Sequence, residues 1–171
     1  MKILKGFLRL LLLLLVVFLA TGLLVKESSY QIRASIAKPL PQVFSAFHNK
    51  STLKDWQPNL HSIKSNVVKE GVIGSSYHLK MTKEVDTIDF LEHTIAFIPN
   101  KKITYTLTAD QLFKVDDYDF EVVGDSTIIT KNVVYKSDHY FMQCLFPYLK
   151  NNFIELDQNY LNNFKTYIEK Q

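Results

Sequence analysis

Few residues in this sequence stand at spacings that do chemistry. Five histidines (His48, His61, His78, His93 and His139) are scattered along the chain, and no two of them form an HxH or HExxH metal motif. Neither a metal nor a cofactor is expected. Cys144 is the single cysteine, which excludes an intrachain disulfide and cysteine-rich zinc sites; beside the apolar start of the last helix it reads as a small buried hydrophobe. Glu92 and His93 are an adjacent acid and base, but neighbours on a strand point to opposite faces, so they cannot act on one substrate. Asp116, Asp117, Asp119 and Glu121 form an acidic run without the glycine spacing of a calcium loop. Alternation sets the last three opposite Tyr118 and Phe120, on a solvated outer face. A serine nucleophile elbow, a Cys–His signature and a phosphate-binding glycine loop are all missing. No catalytic residue can be named.

The elements that must position any site begin with an apolar run. Residues 10–25, LLLLLLVVFLATGLLV, carry no charge. With Phe7 and Leu8 the stretch approaches the roughly 20 residues that cross a bilayer, provided Arg9 reaches back to the headgroups. The competing reading is a cleaved signal peptide ending at Ala20-Thr21-Gly22. Cleavage there would leave Leu-Leu-Val as the mature start, and the run continues through the site, so residues 1–26 are read as a retained membrane anchor. Lys2, Lys5 and Arg9 precede the run without an acidic residue, and Lys26 and Glu27 cancel after it. The positive end stays cytoplasmic, which places residues 27–171 outside the cytoplasm, in the periplasm of a Gram-negative cell. Removing those three residues from the 20 basic ones leaves 17, matched by 17 acidic ones. A nucleic-acid binder needs a basic excess, and this domain has none.

Within residues 27–171 the sequence predicts one domain. Period-two alternation marks a first strand over 30–37, ended by Lys38-Pro39. Pro41 suits a first helical turn, with Val43, Phe44, Ala46 and Phe47 as its apolar stripe. A second short helix is expected over 51–56, with Ser51 as its N-cap and Pro58 ending it. Strands follow over 62–70, 75–83 and 85–98, the last long enough to bend, with Gly71 and Gly74 as turn residues. Two more are centred on Tyr105 and Tyr118, and the last spans 127–135 after a Gly124-Asp125 hairpin turn. Residues 140–170 are helical, with Pro147 expected to kink the helix or divide it in two. Beyond it Leu149, Phe153, Leu156, Tyr160, Phe164 and Ile168 recur at spacings of three and four, one apolar face about five turns long. The expected fold class is α+β: an antiparallel meander wrapped on a long C-terminal helix, preceded by one transmembrane helix.

The segments IRASIAKP, PQVFSAF, LKDWQPN, EHTIAFIPNKKITYTL, GDSTIITKNVVY and YLNNFKTYIE occur in that order. Together they resemble the START-like superfamily, also called SRPBCC or polyketide cyclase/dehydrase-type, and in particular its membrane-anchored bacterial members. The resemblance covers nearly the whole chain and implies the helix-grip fold. It departs from many relatives in having Trp56 as its only tryptophan and in placing Tyr160 or a neighbour where they carry a glycine. A bulky side chain there fills part of the pocket.

The resemblance implies a cavity between sheet and helix. Alternation nominates Tyr77, Leu79, Phe90, Tyr105, Leu107, Tyr118 and Phe120 as its sheet wall, and Phe153, Leu156 and Tyr160 as its helix wall. These residues either line an apolar pocket whose tyrosine hydroxyls orient a small hydrophobic ligand or lipid, or they fill a core. Three functions follow: a membrane-tethered binding module, an enzyme of cyclase or hydratase type using a cavity acid–base residue, or a pocket-less envelope protein that binds a partner through its outer sheet face.

Overall fold

The computed structural model describes residues 2–70, 72–83 and 86–171. The apolar run forms α1 (Lys2–Leu24), long and apolar enough to cross a membrane. The chain then enters β1 (Glu27–Ile36), α2 (Leu40–His48), a 3-10 turn (Lys50–Thr52) and α3 (Leu53–Trp56). Six strands follow: β2 (Leu60–Val67), β3 (Ser76–Lys83), β4 (Asp86–Ile98), β5 (Lys102–Ala109), β6 (Leu112–Val123) and β7 (Ser126–Lys136). α4 (Tyr140–Glu169) closes the chain.

The seven strands form one antiparallel sheet in the order β1-β7-β6-β5-β4-β3-β2. β1 therefore crosses to pair with the last strand, while β2 to β7 run as a meander. In the long β4 the register with β5 shifts between Thr94 and Ala96. Ile95 is the extra residue, and such a bulge bends a strand. It also resets alternation, so Glu92 and Thr94 face inward before it and Phe97 after it. The β6–β7 turn is two residues long, and Gly124 has φ +60° there, the sign that the first position of a type II′ turn demands.

Two expectations change, and of the two outcomes expected at Pro147 only the division of the helix is excluded. Asn49 caps the 3-10 turn instead of Ser51, its side chain accepting the Ser51 N–H at 3.0 Å. Pro147 lies inside α4 without dividing it. The buried stripe of α4 runs through Asp157, Leu161, Phe164 and Ile168, not through Leu156 and Tyr160. Strand bounds move by up to a few residues, and Gly71 and Val85 lie outside the described residues.

The space between sheet and α4 is filled from both ends. At one end Phe47 packs against Trp56, Tyr118, Phe120 and Phe164 at centroid distances of 4.8–5.4 Å, and Phe44 meets Phe97 and Phe120. At the other, Tyr135 packs edge-on against Phe146 and Phe153. Each such pair adds about 0.5–1.5 kcal/mol to the hydrophobic term.

Candidate functional site

Between the two aromatic clusters lies a buried ring of four charges. Alternation carries Lys114 and Asp116 of β6 to the same inner face as Tyr118, and Lys131 of β7 stands opposite Tyr118 in the register. Asp157 reaches them from α4. Its Oδ2 lies 2.8 Å from both Lys114 Nζ and Lys131 Nζ and accepts the Tyr30 hydroxyl at 2.5 Å. Asp116 closes the ring, with Oδ1 3.2 Å from Lys114 and Oδ2 3.0 Å from Lys131. Two positive and two negative charges cancel, which is what makes their burial tolerable. Burial works to raise the Asp157 pKa, but the two ammonium groups overcome it and hold the carboxyl well below the usual carboxylate range. Burial works to lower Lys114 and Lys131, and the two carboxylates reverse that and raise both. Burial pushes the Tyr118 hydroxyl far up. Lys114, Lys131 and Asp157 are thus held in their charged forms at neutral pH.

A second polar group stands where the sheet curls toward the 3-10 turn. Lys50 Nζ lies 2.5 Å from Glu92 Oε1 on β4 and over the Tyr105 ring, 4.1 Å from its centroid, with the Tyr77 ring at 5.3 Å. A cavity of about 110 Å³ opens beside it, walled by His48, Lys50, Tyr77, Tyr105, Thr94 and Ser75. Thr94 is 2 % exposed, and its hydroxyl finds no hydrogen-bond partner among the described residues. Such a group costs about 1–3 kcal/mol unless something satisfies it. His48 Nδ1 lies 2.8 Å from the Phe44 carbonyl oxygen, which fixes the ring at the cavity edge. Val68, Lys69 and Val72 form the rim, with Val67 and Ile73 exposed beside it. Val72 has φ +72°, a left-handed conformation that β-branched residues rarely adopt. Strain of that kind, of order 1–3 kcal/mol, clusters at ligand sites.

Burial works to lower the Lys50 pKa, but Tyr105 and Glu92 carry it upward. Burial drives Tyr105 up to about 12, against the pull of Lys50. The cavity therefore presents Lys50 paired with Glu92, the side chains of Tyr77 and Tyr105, and Thr94, whose buried hydroxyl has no partner among the described residues. Its lining is mostly apolar with a few donors, and Lys69 at the rim adds a positive charge.

The ten residues nominated by the sequence divide among these surroundings. Tyr77 and Tyr105 line the cavity. Leu79, Tyr118 and Phe120 are buried in the main core, and Phe90, Leu107 and Tyr160 pack against it half-buried. Phe153 packs on Tyr135 at the far end. Leu156 is 38 % exposed and lies outside the grip, because Asp157 takes the inward place beside it. Glu92 and His93 point to opposite faces as expected, with Glu92 buried. Asp117 and Asp119 stand on the outer face, paired with Lys102 at 2.6 and 3.3 Å. Among the described residues no three His, Cys, Asp or Glu side chains are grouped to hold a metal ion. Lys50, Thr94 and the charge ring were not anticipated. Strand parity alone puts Lys114, Asp116 and Lys131 inward, whereas nothing local marks Asp157.

No protein-family model matches the sequence, and no curated protein matches it. Solved structures do. Ara h 8.0201 aligns over 85 % of this chain and 99 % of its own, with a TM-score of 0.71 and 14 % identity. The Zhui aromatase/cyclase from a Streptomyces species aligns over 84 % of this chain and 94 % of its own, with a TM-score of 0.68 and 12 % identity. StfQ, a di-domain ARO/CYC protein from the steffimycin biosynthetic pathway, aligns over 84 % of this chain and 51 % of its own, with a TM-score of 0.71 and 9 % identity. At these identities the likeness speaks for the fold, and the fold agrees with the element order and sheet topology described above: this chain has the START-like helix-grip fold.

Proposed function

We propose that this protein is a membrane-tethered binding module, held by α1 with its START-like domain outside the cytoplasm, that takes a small apolar molecule by an oxygen-bearing end. The observation that carries this reading is Thr94, which lines the Lys50–Tyr105 cavity and whose buried hydroxyl has no partner among the described residues. Because Glu92 already neutralises Lys50, the inner end of the cavity favours a neutral carbonyl or hydroxyl, and an anion would have to pair with Lys69 at the rim. Pockets that enclose a whole drug-sized ligand measure about 300–1,000 Å³, so about 110 Å³ accommodates the polar end and its first carbons. The remaining chain would lie along Val68 and Val72 at the rim, beside Lys69. A tether at the bilayer shortens the search for such a membrane-derived ligand, a lipid or isoprenoid in kind. The placement of the domain rests on Lys2, Lys5 and Arg9 before the span.

Binding is favoured over catalysis because Lys50 and Tyr105 are both shifted away from neutrality, and general acid–base work needs a pKa near the working pH. The test is calorimetric titration of the detergent-solubilised full chain with medium-chain alcohols, methyl ketones and the matching carboxylates. The alcohols or ketones are expected to bind more tightly than the carboxylates, and Thr94→Leu, which removes the hydroxyl and fills the space, is expected to abolish the heat. Equal binding of all three classes by both proteins, or binding of none, would refute the reading.

A further inference from the structure

The start of α4 has a feature that the ligand site does not use. From Tyr140 to Leu149 the helix reads YFMQCLFPYL, ten residues without a charge. Phe146 is buried toward the sheet against Tyr135, and Cys144 is buried against α1. A further face of the helix carries Phe141, Leu145 and Tyr148, at spacings of four and three, and Phe141 is 62 % exposed and Tyr148 57 %. This face adjoins the end of α1. Phe18 packs against Phe141 at 5.8 Å and against Tyr148 at 6.0 Å. Thr21 Oγ1 donates to the Cys144 carbonyl at 3.1 Å, and the Tyr140 hydroxyl donates to the Leu19 carbonyl. Gly22 permits the approach, since a Cβ there would sit 2.5 Å from Cys144 Sγ.

We infer that this face is a second membrane contact, with Phe141, Leu145 and Tyr148 seated at the boundary between headgroups and acyl chains. The inference rests on the proposal that α1 spans the bilayer. Phe18 lies seven residues before Val25, where the apolar run ends, and at 1.5 Å per residue that is roughly 10 Å inside the end of the span. Rings packed on Phe18 and otherwise exposed must then share that depth, which matches the ~5–10 Å burial of interfacial helices. Aromatic residues are also the side chains enriched at that level. A lipid surface is the occupant the geometry favours, because the face is continuous with the lipid-facing side of α1.

The test uses the full chain in vesicles of phosphatidylethanolamine and phosphatidylglycerol whose acyl chains are brominated near the headgroup or near the tail. Trp56, buried in the domain core, is the internal reference. Single variants Leu15→Trp, Phe141→Trp and Tyr148→Trp place a reporter mid-span and at two points of the face. The expected result is quenching of Leu15→Trp by the deep bromines, quenching of Phe141→Trp and Tyr148→Trp by the shallow ones, and an unquenched Trp56. If Leu15→Trp is quenched while both α4 reporters emit as in water, the span stands and the second contact is wrong. If both α4 reporters emit as buried groups without bromine quenching, the face is covered by protein, and the proposal also fails. An unquenched Leu15→Trp overturns the span and the contact together.

Discussion

Asp157 is the residue on which the interior turns. One carboxylate oxygen receives two ammonium groups and a phenol at a position 4 % exposed. Removing one member of a buried ion cluster leaves uncompensated charge, at a cost of about 3–5 kcal/mol. Asp157→Ala is expected to lose that much in urea unfolding, and the paired change Lys131→Met with Asp157→Leu to lose clearly less. The same carboxylate sets a pH dependence. Its pKa is lowered on folding, so its contribution is complete above the unfolded value of about 4 and is lost as pH falls toward the folded value. Urea midpoints measured between about pH 5 and pH 2 should fall more steeply for the wild type than for Asp157→Asn. Equal slopes would show that other carboxylates carry the acid limb. Strand alternation makes Lys114, Asp116 and Lys131 legible as inward residues, because parity survives whatever the side chain. Asp157 is not legible, since an isolated acid on a helix is read as solvent-facing until its partners from distant strands are known.

That one residue displaced the reading of a whole element. The spacing of three and four that keeps α4 apolar runs through Leu156 and Tyr160 and passes over Asp157. In the structure the stripe advances by one position, to Asp157 and Leu161. Leu156→Lys should therefore change stability by less than ~0.5 kcal/mol, as exposed substitutions do, while Leu161→Ala should cost about 2–5 kcal/mol. Chemical denaturation of the two variants decides the face directly, and the reverse order would restore the earlier assignment. The strands were read more securely than the helix. Several of them alternate visibly, and turn residues such as Gly74 and Gly124-Asp125 separate them. The bulge at Ile95 had no local signal beyond the length of β4, and it is this bulge that turns Phe97 inward after Thr94. Lys50 escaped notice for a related reason: it sits in a short turn, where neither period two nor period 3.6 assigns a face.

At the scale of the molecule, composition and order gave the architecture. An apolar run, one strand, short helices, a meander and a long helix leave few arrangements besides a sheet gripping that helix. The contents of the grip were not readable, because aromatic alternation looks the same around a cavity and within a core. Here the centre is filled by rings and matched charges, and free space remains at the β3–β5 corner. With α1 as a retained span, protease added to intact spheroplasts is expected to digest residues 27–171, and protection of the domain would reverse the orientation.

The decisive measurement is organic extraction of the detergent-solubilised chain of 171 residues after purification, followed by mass spectrometry, with wild type and Thr94→Leu compared side by side. An apolar molecule bearing a hydroxyl or carbonyl should accompany the wild type near one-to-one and be lost from Thr94→Leu while bulk lipid stays equal. Identical extracts from the two proteins, with no molecule enriched over bulk lipid, would contradict a ligand site at the Lys50–Tyr105 cavity.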